Sequence, residues 1–267
     1  AELRHVTHPA FGRRIRALES WAGTPLIERE AGPVKLTAAG QAFLDTALQM
    51  TRHLAQSHDE LMAIAGRQGR TVTLCTGRTL ARTIVADWLV RLRPYLADGE
   101  LRISTRSLAD AVHDLQHGLA DFSILYHHPS LVVPLDGRQF EHVALATDRL
   151  LPVSRTDASG APMYFLEAGC APVPYIAYDR TLALGRLVED LLAHHPLAAH
   201  LKRLVECDSP DANYEYVRKG LGVSWLPWSV VHADVKSGLL APAGGKGLEV
   251  KFDVRMFRPK RRLSALA

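Results

Sequence analysis

Basic and short polar side chains cluster near the start of the chain in a pattern that suits contact with a polyanion. Arg13, Arg14 and Arg16 fall within four positions, and helical spacing places His8 and Gly12 on the same face as two of them. Guanidinium groups neutralise phosphates, and short side chains let a helix approach base edges in the DNA major groove. The pattern predicts a DNA-recognition helix, although an arginine-rich helix with a solvated face has the same pattern.

The spacing of apolar residues predicts the helix that positions these side chains. Its apolar face recurs at intervals of four, three and four residues and consists of Phe11, Ile15, Leu18 and Ala22. Thr7 is a candidate N-terminal cap, Pro9 is tolerated in the first turn, and Gly23 ends the helix. Two short strands, 26–29 and 34–36, are predicted to follow with a turn between them.

A second, longer helix is predicted to begin after Thr37. Its apolar seam alternates spacings of three and four over Gly40, Phe43, Ala47, Met50, Leu54, Ser57, Leu61 and Ile64. A heptad seam of this kind pairs two helices, so we expect it to join two copies of the chain. Segment 66–70 ends the helix and indicates a linker.

After residue 70 strands and helices alternate, which predicts mainly parallel sheets covered by helices. The predicted strands are 71–76, 101–104, 122–126, 140–153, 175–178, 204–207, 222–226 and 251–257. The predicted helices are 80–96, 108–117, 183–194, 210–219 and 227–236, with Ser107 and Asp110 as a capping box. Two lobes with crossing connections would explain both the strand at 140–153, which no helix follows, and the late strand at 251–257.

Residues at the carboxyl ends of the predicted strands form a second candidate site, because ligands of open α/β sheets settle at that edge. Gly77, Arg78 and Thr79 lie where the first strand turns into a helix, whose free N–H groups favour an anion. The corresponding residues elsewhere are Thr105, Arg106, Tyr126, Tyr178, Thr181, Ser224 and Trp225. We predict a small anionic effector, with arginines on its carboxylate and aromatic walls; a turn or cap role is the alternative for each residue.

Composition excludes several classes of protein. The 32 basic and 28 acidic residues give a net charge of +4, and 47% hydrophobic with 22% charged residues is ordinary globular usage. No apolar stretch approaches the ~18 residues of a membrane span, and no secretion signal is apparent. Three scattered cysteines form no disulfide framework, so we expect a reducing, cytoplasmic compartment. Both ends interrupt a helical pattern, so we expect the natural chain to extend further.

Metal and catalytic sites are not indicated. The adjacent histidine pairs, 127–128 and 194–195, have neither helical i,i+4 spacing nor a nearby cysteine cluster, so we predict no metal site and no cofactor. No nucleophile, base and oxyanion arrangement is evident, so we predict no enzyme. Cys75 and Cys207 lie in or at the end of predicted strands, which favours structural roles, but an oxidation trigger is kept as an alternative.

Three linked motifs carry a family resemblance. Residues 7–19 read Thr-His-Pro-Ala-Phe-Gly-Arg-Arg-Ile-Arg-Ala-Leu-Glu, residues 23–29 read Gly-Thr-Pro-Leu-Ile-Glu-Arg, and residues 36–40 read Leu-Thr-Ala-Ala-Gly. Their sequence and spacing resemble the DNA-binding module of the LysR-type transcriptional regulators. The run from Pro9 to Glu19 and the segment 222–227 are most similar to the hypochlorite-responsive branch of that family.

The resemblance implies an α/β chain with a winged helix-turn-helix, a long linker helix and a two-lobed effector domain similar to type II periplasmic binding proteins. It implies a DNA-binding domain at 1–36, a dimerisation helix at 37–69 and an effector-binding domain at 70–267. Lobe I would comprise about 70–148 and 241–267, and lobe II about 149–240. The family's first helix has no counterpart in the sequence, so we expect the apolar face of the recognition helix to be partly exposed.

The family's DNA-contacting positions fall on Thr7, His8, Pro9, Gly12, Arg13 and Arg16, with Arg29 and Lys35 in the wing. His8 replaces the usual Gln and Gly12 the usual Ser, so the operator sequence does not transfer. The implied partners are double-stranded DNA, a small effector, further copies of the chain in a homodimer or homotetramer, and RNA polymerase, but no membrane. The alternatives are a periplasmic-type solute-binding protein with a helical extension and a redox-triggered regulator of the same family.

Overall fold

The computed structural model describes residues 8–28, 34–64, 71–96, 99–169 and 171–260. The chain divides into two compact units, residues 1–67 and 68–267. The finer boundary expected at 36 within the first unit, and the lobe boundaries expected within the second, remain predictions.

In the first unit, helix α1 spans His8–Ala22 and ends at Gly23, whose φ of +70° favours glycine. Strands are predicted at 26–29 and 34–36, and in the described part of these segments one antiparallel bridge joins Ile27 to Leu36. Glu19, which the sequence did not single out, is buried, and its carboxylate accepts hydrogen bonds from the N–H groups of Leu26 and Ile27. This carboxylate therefore fixes α1 to the segment that enters the bridge.

Helix α2 spans Ala38–Ile64. Thr37 caps it, since the Gly40 N–H donates to the Thr37 hydroxyl at 3.0 Å and that hydroxyl donates to the Pro25 carbonyl at 2.7 Å. The predicted seam is exposed along its later part, at Met50, Leu54, Ser57 and Leu61.

Within the described part of the second unit, the larger sheet has the strand order β2-β1-β3-β9-β4-β7, with β8 paired to β4. A smaller sheet contains β5 and β6. The strands are β1 (Thr71–Thr76), β2 (Glu100–Thr105), β3 (Phe122–His127), β4 (Phe140–Arg155), β5 (Val173–Tyr178), β6 (Leu201–Cys207), β7 (Ser224–Pro227), β8 (Leu240–Pro242) and β9 (Val250–Pro259).

The larger sheet is mixed, not mainly parallel as predicted. The pairs β1–β2, β1–β3 and β5–β6 are parallel, whereas β9 runs antiparallel to β3 and β4, and β4 runs antiparallel to β7 and β8. The 16-residue strand β4 pairs with β9 along its first part and with β7 and β8 along its last part. It thereby carries the chain from one lobe to the other.

The helices cover these sheets and begin close to the predicted positions. The α-helices are α3 (Arg78–Leu80), α4 (Ala86–Leu92), α5 (Leu108–Gln116), α6 (Ala183–Ala193), α7 (Pro210–Arg218) and α8 (Trp228–Lys236). A π-helical turn, Ala81–Val85, joins α3 to α4, and 3-10 turns occupy Arg93–Tyr95, Pro196–His200 and Lys246–Leu248. No described helix is long and apolar enough to cross a bilayer.

Candidate functional site

A cleft of about 370 Å³ lies at the carboxyl ends of β1, β2 and β3, where lobe I faces the starts of α6 and α7 in lobe II. It contains residues from both lobes, as the strand-end argument expects. Seven of the ten predicted effector residues line it: Gly77, Arg78, Thr79, Thr105, Arg106, Tyr126 and Thr181. The sequence missed the lobe II residues Leu182, Ala183, Asp208 and Pro210.

Two helix starts around this cleft have no side-chain cap. Ser107 caps α5 and Ser209 caps α7, in each case by accepting a hydrogen bond from a backbone N–H group. By contrast, the residues before α3 and α6, Gly77 and Leu182, provide no side-chain cap. The path that starts with α3 continues through the π turn and α4, so its first N–H groups open a helix of several turns. Uncapped N–H groups at two helix starts make the cleft favourable for an anion.

The two predicted arginines differ in their availability. The Arg106 Nε donates to the Asp114 carboxylate at 3.2 Å, so its charge is partly neutralised outside the cleft. Arg78 is exposed, lines the cleft and has no ion-pair partner among the described residues. Arg78 is therefore the available cation of the site.

A buried phenol forms part of the cleft floor. Tyr126 is 8% exposed and its ring packs edge-on against Phe252, yet its hydroxyl completes no well-formed hydrogen bond within the described residues. Burial raises the pKa of Tyr126 well above its ordinary value, so the hydroxyl stays protonated and can donate to a ligand. Tyr178 is buried as well, and its hydroxyl also has no partner there, but the side chain does not line the cleft.

Besides Tyr178, two further predicted effector residues do not line the cleft. Ser224 and Trp225 have no exposed surface: the Ser224 hydroxyl donates to the Ile176 carbonyl at 2.8 Å, and the Trp225 indole N–H donates to the Leu248 carbonyl at 2.7 Å. All four residues of β7 are buried, so both faces of this strand are covered and neither side chain reaches the cleft. They belong to the hydrophobic core.

An ion pair joins the lobes beside the cleft. Arg82, in the π turn of lobe I, contacts the Asp211 carboxylate of α7 at 3.0 Å, and its guanidinium lies 5.2 Å from the Tyr214 ring centroid. Arg82 is one turn from Arg78, so the residue that could hold a ligand and the residue that contacts lobe II share a helix face. Both side chains of the ion pair are about 40% exposed, so its contribution to stability is small.

The other candidate surface is on α1. Arg13, Arg14 and Arg16 are exposed and have no acidic partner among the described residues. Pro9 is exposed in the first turn, and a Cβ added at Gly12 would meet nothing within 4 Å, so this face is open. Lys35 is exposed beside the bridge. Thr7 and Arg29 lie outside the described residues, and the description of His8 covers its helical backbone alone.

Comparison with known proteins decides the family. The family model described as "LysR substrate binding domain" matches residues 65–267, and the one described as "Bacterial regulatory helix-turn-helix protein, lysR family" matches residues 1–41. The chain belongs to the LysR family. It is a DNA-binding transcriptional regulator with an effector-binding domain, and members of this family are not enzymes.

Similar proteins span nearly the whole LysR chain. The transcriptional regulator YjiE of Escherichia coli K12 is 24% identical over 267 residues, which is all of this chain and 85% of that protein. The structure of Vibrio fischeri DarR in complex with DNA has a TM-score of 0.64 and 26% identity, covering 100% of this chain and 88% of that one. The full-length structure of HypT from Salmonella typhimurium, a hypochlorite-specific regulator, has a TM-score of 0.65 and 24% identity, covering 100% and 87%. HypT thus shares the fold, in agreement with the resemblance to the hypochlorite-responsive branch.

The described cysteines of this LysR protein have the surroundings of structural residues. Burial, followed by the nearby Asp114 carboxylate, raises the pKa of the Cys75 thiol to about 11, so it stays protonated at neutral pH. Cys207 is half-buried at the end of β6, and Cys170 lies outside the described residues. Within the described ranges, no group of three His, Cys, Asp or Glu side chains is arranged to hold a metal ion.

Proposed function

We propose that this LysR regulator binds a small carboxylate-bearing effector in the cleft between its lobes. The observation that carries the proposal is the convergence of two uncapped helix starts, the free Arg78 guanidinium and the buried Tyr126 hydroxyl on one cleft. All of these groups are hydrogen-bond donors. The guanidinium carries a positive charge, and each helix start is the positive end of a helix dipole. A carboxylate satisfies them, because it has acceptor oxygens and a negative charge.

We also propose that the α1 face with Pro9, Gly12, Arg13 and Arg16 contacts the DNA, with His8 and Thr7 before it and Arg29 and Lys35 in the wing. Support comes from the exposure and lack of acidic partners of the α1 arginines. The cluster supplies the phosphate neutralisation and base contacts that a recognition helix needs.

The seam of α2 supports a homodimer. Met50, Leu54 and Leu61 are between 54% and 72% exposed in a single chain, and a second copy of α2 would cover them. We propose further assembly to a homotetramer, contact with RNA polymerase and a cytoplasmic location. In this scheme effector binding alters the closure of the lobes, and α2 passes that change to the spacing of the DNA half-sites.

Arg13→Ala is expected to weaken binding of the intact protein to its own promoter region by about 10- to 100-fold, because one charged base or phosphate contact contributes roughly 1–3 kcal/mol. A gel-shift titration at fixed salt measures this. Arg14→Ala is the matched control, since it removes the same charge from a neighbouring exposed position outside the proposed contact set. Equal losses of DNA affinity in both variants would mean that the arginines act through their positive charge alone and not through a specific contact. No DNA binding by the wild type would overturn the proposal.

Arg78→Gln is expected to weaken effector binding by roughly tenfold, because a charged hydrogen bond to a carboxylate is lost. The measurement is thermal unfolding of the full chain with a panel of small carboxylates and amino acids, followed by titration calorimetry with the best binder. Arg91→Gln, on the same helical path but away from the cleft, is the control. The absence of any shift from the whole panel, or equal effects of both variants, would contradict the proposed site.

A further inference from the structure

The two walls of the cleft have opposite net charge. On the lobe I wall the charged lining residues are Arg78, Arg106 and Asp110, which leave one net positive charge. On the lobe II wall Asp208 is the charged residue among those lining the cleft. The cleft as a whole is therefore balanced, with its positive and negative charges separated across the gap.

One charged residue on each wall has no partner among the described residues. Arg106 is paired with Asp114, and Asp110 accepts a hydrogen bond from the Ser107 hydroxyl at 2.7 Å as part of the capping box. Arg78 and Asp208 are exposed, and neither forms an ion pair or a hydrogen bond within the described residues.

Their neighbours show how close the lobes come at this edge. Arg82 is four residues after Arg78, Asp211 is three residues after Asp208, and these two form the 3.0 Å ion pair between the lobes. Arg78 and Asp208 lie about one helical turn earlier on the same two segments, and they line the cleft without forming an ion pair. A ligand with one positive and one negative group could therefore fill the gap between them.

We propose that the effector is a small zwitterion of the amino-acid type. Its carboxylate accepts from Arg78 and from the N–H groups at the start of α3, and its ammonium donates to Asp208. A simple anion would meet the Asp208 charge, and a simple cation would meet Arg78, whereas a zwitterion pairs with both. The Tyr126 hydroxyl, nine-tenths buried and next to the Thr79 side chain, provides one further donor on the floor.

The size of the cleft limits the ligand. A volume of about 370 Å³ is near the lower end of the roughly 300–1,000 Å³ typical of small-molecule sites. Apolar lining from Leu108, Ile124 and Leu182 leaves room for an uncharged side chain on the amino acid. This inference rests on the proposed effector site, and it adds a positively charged group to the proposed carboxylate effector.

The test compares three probes that share one skeleton. The standard amino acids are first screened against the full-length protein by thermal unfolding. The best binder is then compared by calorimetry with the acid that lacks its amino group and the amine that lacks its carboxylate. We expect the amino acid to bind at least about tenfold more tightly than either, because each truncated probe leaves one charge of the cleft unpaired.

Asp208→Asn assigns the ammonium site. It is expected to weaken the amino acid by about tenfold and to leave the affinity for the deaminated acid unchanged or higher. Asp87→Asn, which removes the same charge from an exposed residue of α4 outside the cleft, is the matched control and should not change the ratio of the two affinities. Deaminated acids that bind as well as amino acids would overturn the zwitterion proposal but not the carboxylate site. The same conclusion would follow if Asp208→Asn still bound the amino acid more tightly than the deaminated acid. No binding by any carboxylate would remove both proposals.

Discussion

Gly40→Ala is expected to abolish DNA binding while the effector domain stays folded. A Cβ at position 40 would overlap the carbonyl oxygen of Leu26 and lie 2.9 Å from its carbonyl carbon. Both are backbone atoms of the segment that leads into the bridge, and the same carbonyl accepts the Thr37 N–H at 3.1 Å. Because backbone cannot rotate away as a side chain can, the start of α2 must separate from this segment. We expect a cost of about 3 kcal/mol or more, at the upper end of overpacking effects.

The measurement is thermal unfolding of the full chain, followed in parallel by gel shift. In Gly40→Ala the N-terminal unit should unfold at lower temperature, whereas the transition of the effector domain should not move. Gly12→Ala is the control for stability, because it adds the same methyl group to a helical glycine where nothing lies within 4 Å. It should stabilise α1 by up to about 1 kcal/mol through helix propensity. A Gly40→Ala protein with wild-type stability would contradict the contact.

The motif at 36–40 shows what a sequence can and cannot provide. The spacing of apolar residues placed Thr37 and Gly40 at the start of a long helix, and the structure confirms this helix start. The reason for the glycine, close contact with the Leu26 backbone, depends on the path of a segment more than ten residues earlier in the chain. Spacing within a helix carries no information on that path.

The strand-end rule predicted most of the cleft because it depends on local order alone. Residues at the carboxyl ends of neighbouring parallel strands reach the same edge of the sheet, so Gly77, Thr105 and Tyr126 could be placed without coordinates. Asp208 and Leu182 are also at such connections, and a uniform application of the rule to both lobes would have found them.

The antiparallel strands could not be placed in this way. The register of β4 with β9 joins residues about 100 apart in sequence and shifts at Ala144 and Ala146. Hydrophobic patterning at 140–153 predicted a strand but not its partners. Because β7 pairs with β4, which in turn pairs with β9, the location of residues 224 and 225 depended on pairings that the sequence does not specify.

Trp225→Ala is expected to lower the free energy of unfolding of the effector domain by about 3–5 kcal/mol, the usual range for removal of a buried large aromatic side chain. The ring has no exposed surface and packs edge-on against Tyr175, with centroids 5.6 Å apart. Its removal also leaves the Leu248 carbonyl without its indole partner. Chemical denaturation, monitored by far-UV circular dichroism, measures the loss.

The appropriate control is Trp228→Ala, three residues later, because it deletes the same side chain at a half-buried position beneath the Arg149 guanidinium. That ring contributes a partly exposed cation–π contact, so its loss should destabilise clearly less than the loss of Trp225. The comparison also decides the function of Trp225. Unfolding that is unchanged in Trp225→Ala, together with weaker binding of a carboxylate ligand, would return this residue to the cleft wall that the sequence predicted. A large loss of stability would identify it as the support on which β7, and through β5 the lobe II wall of the cleft, is packed.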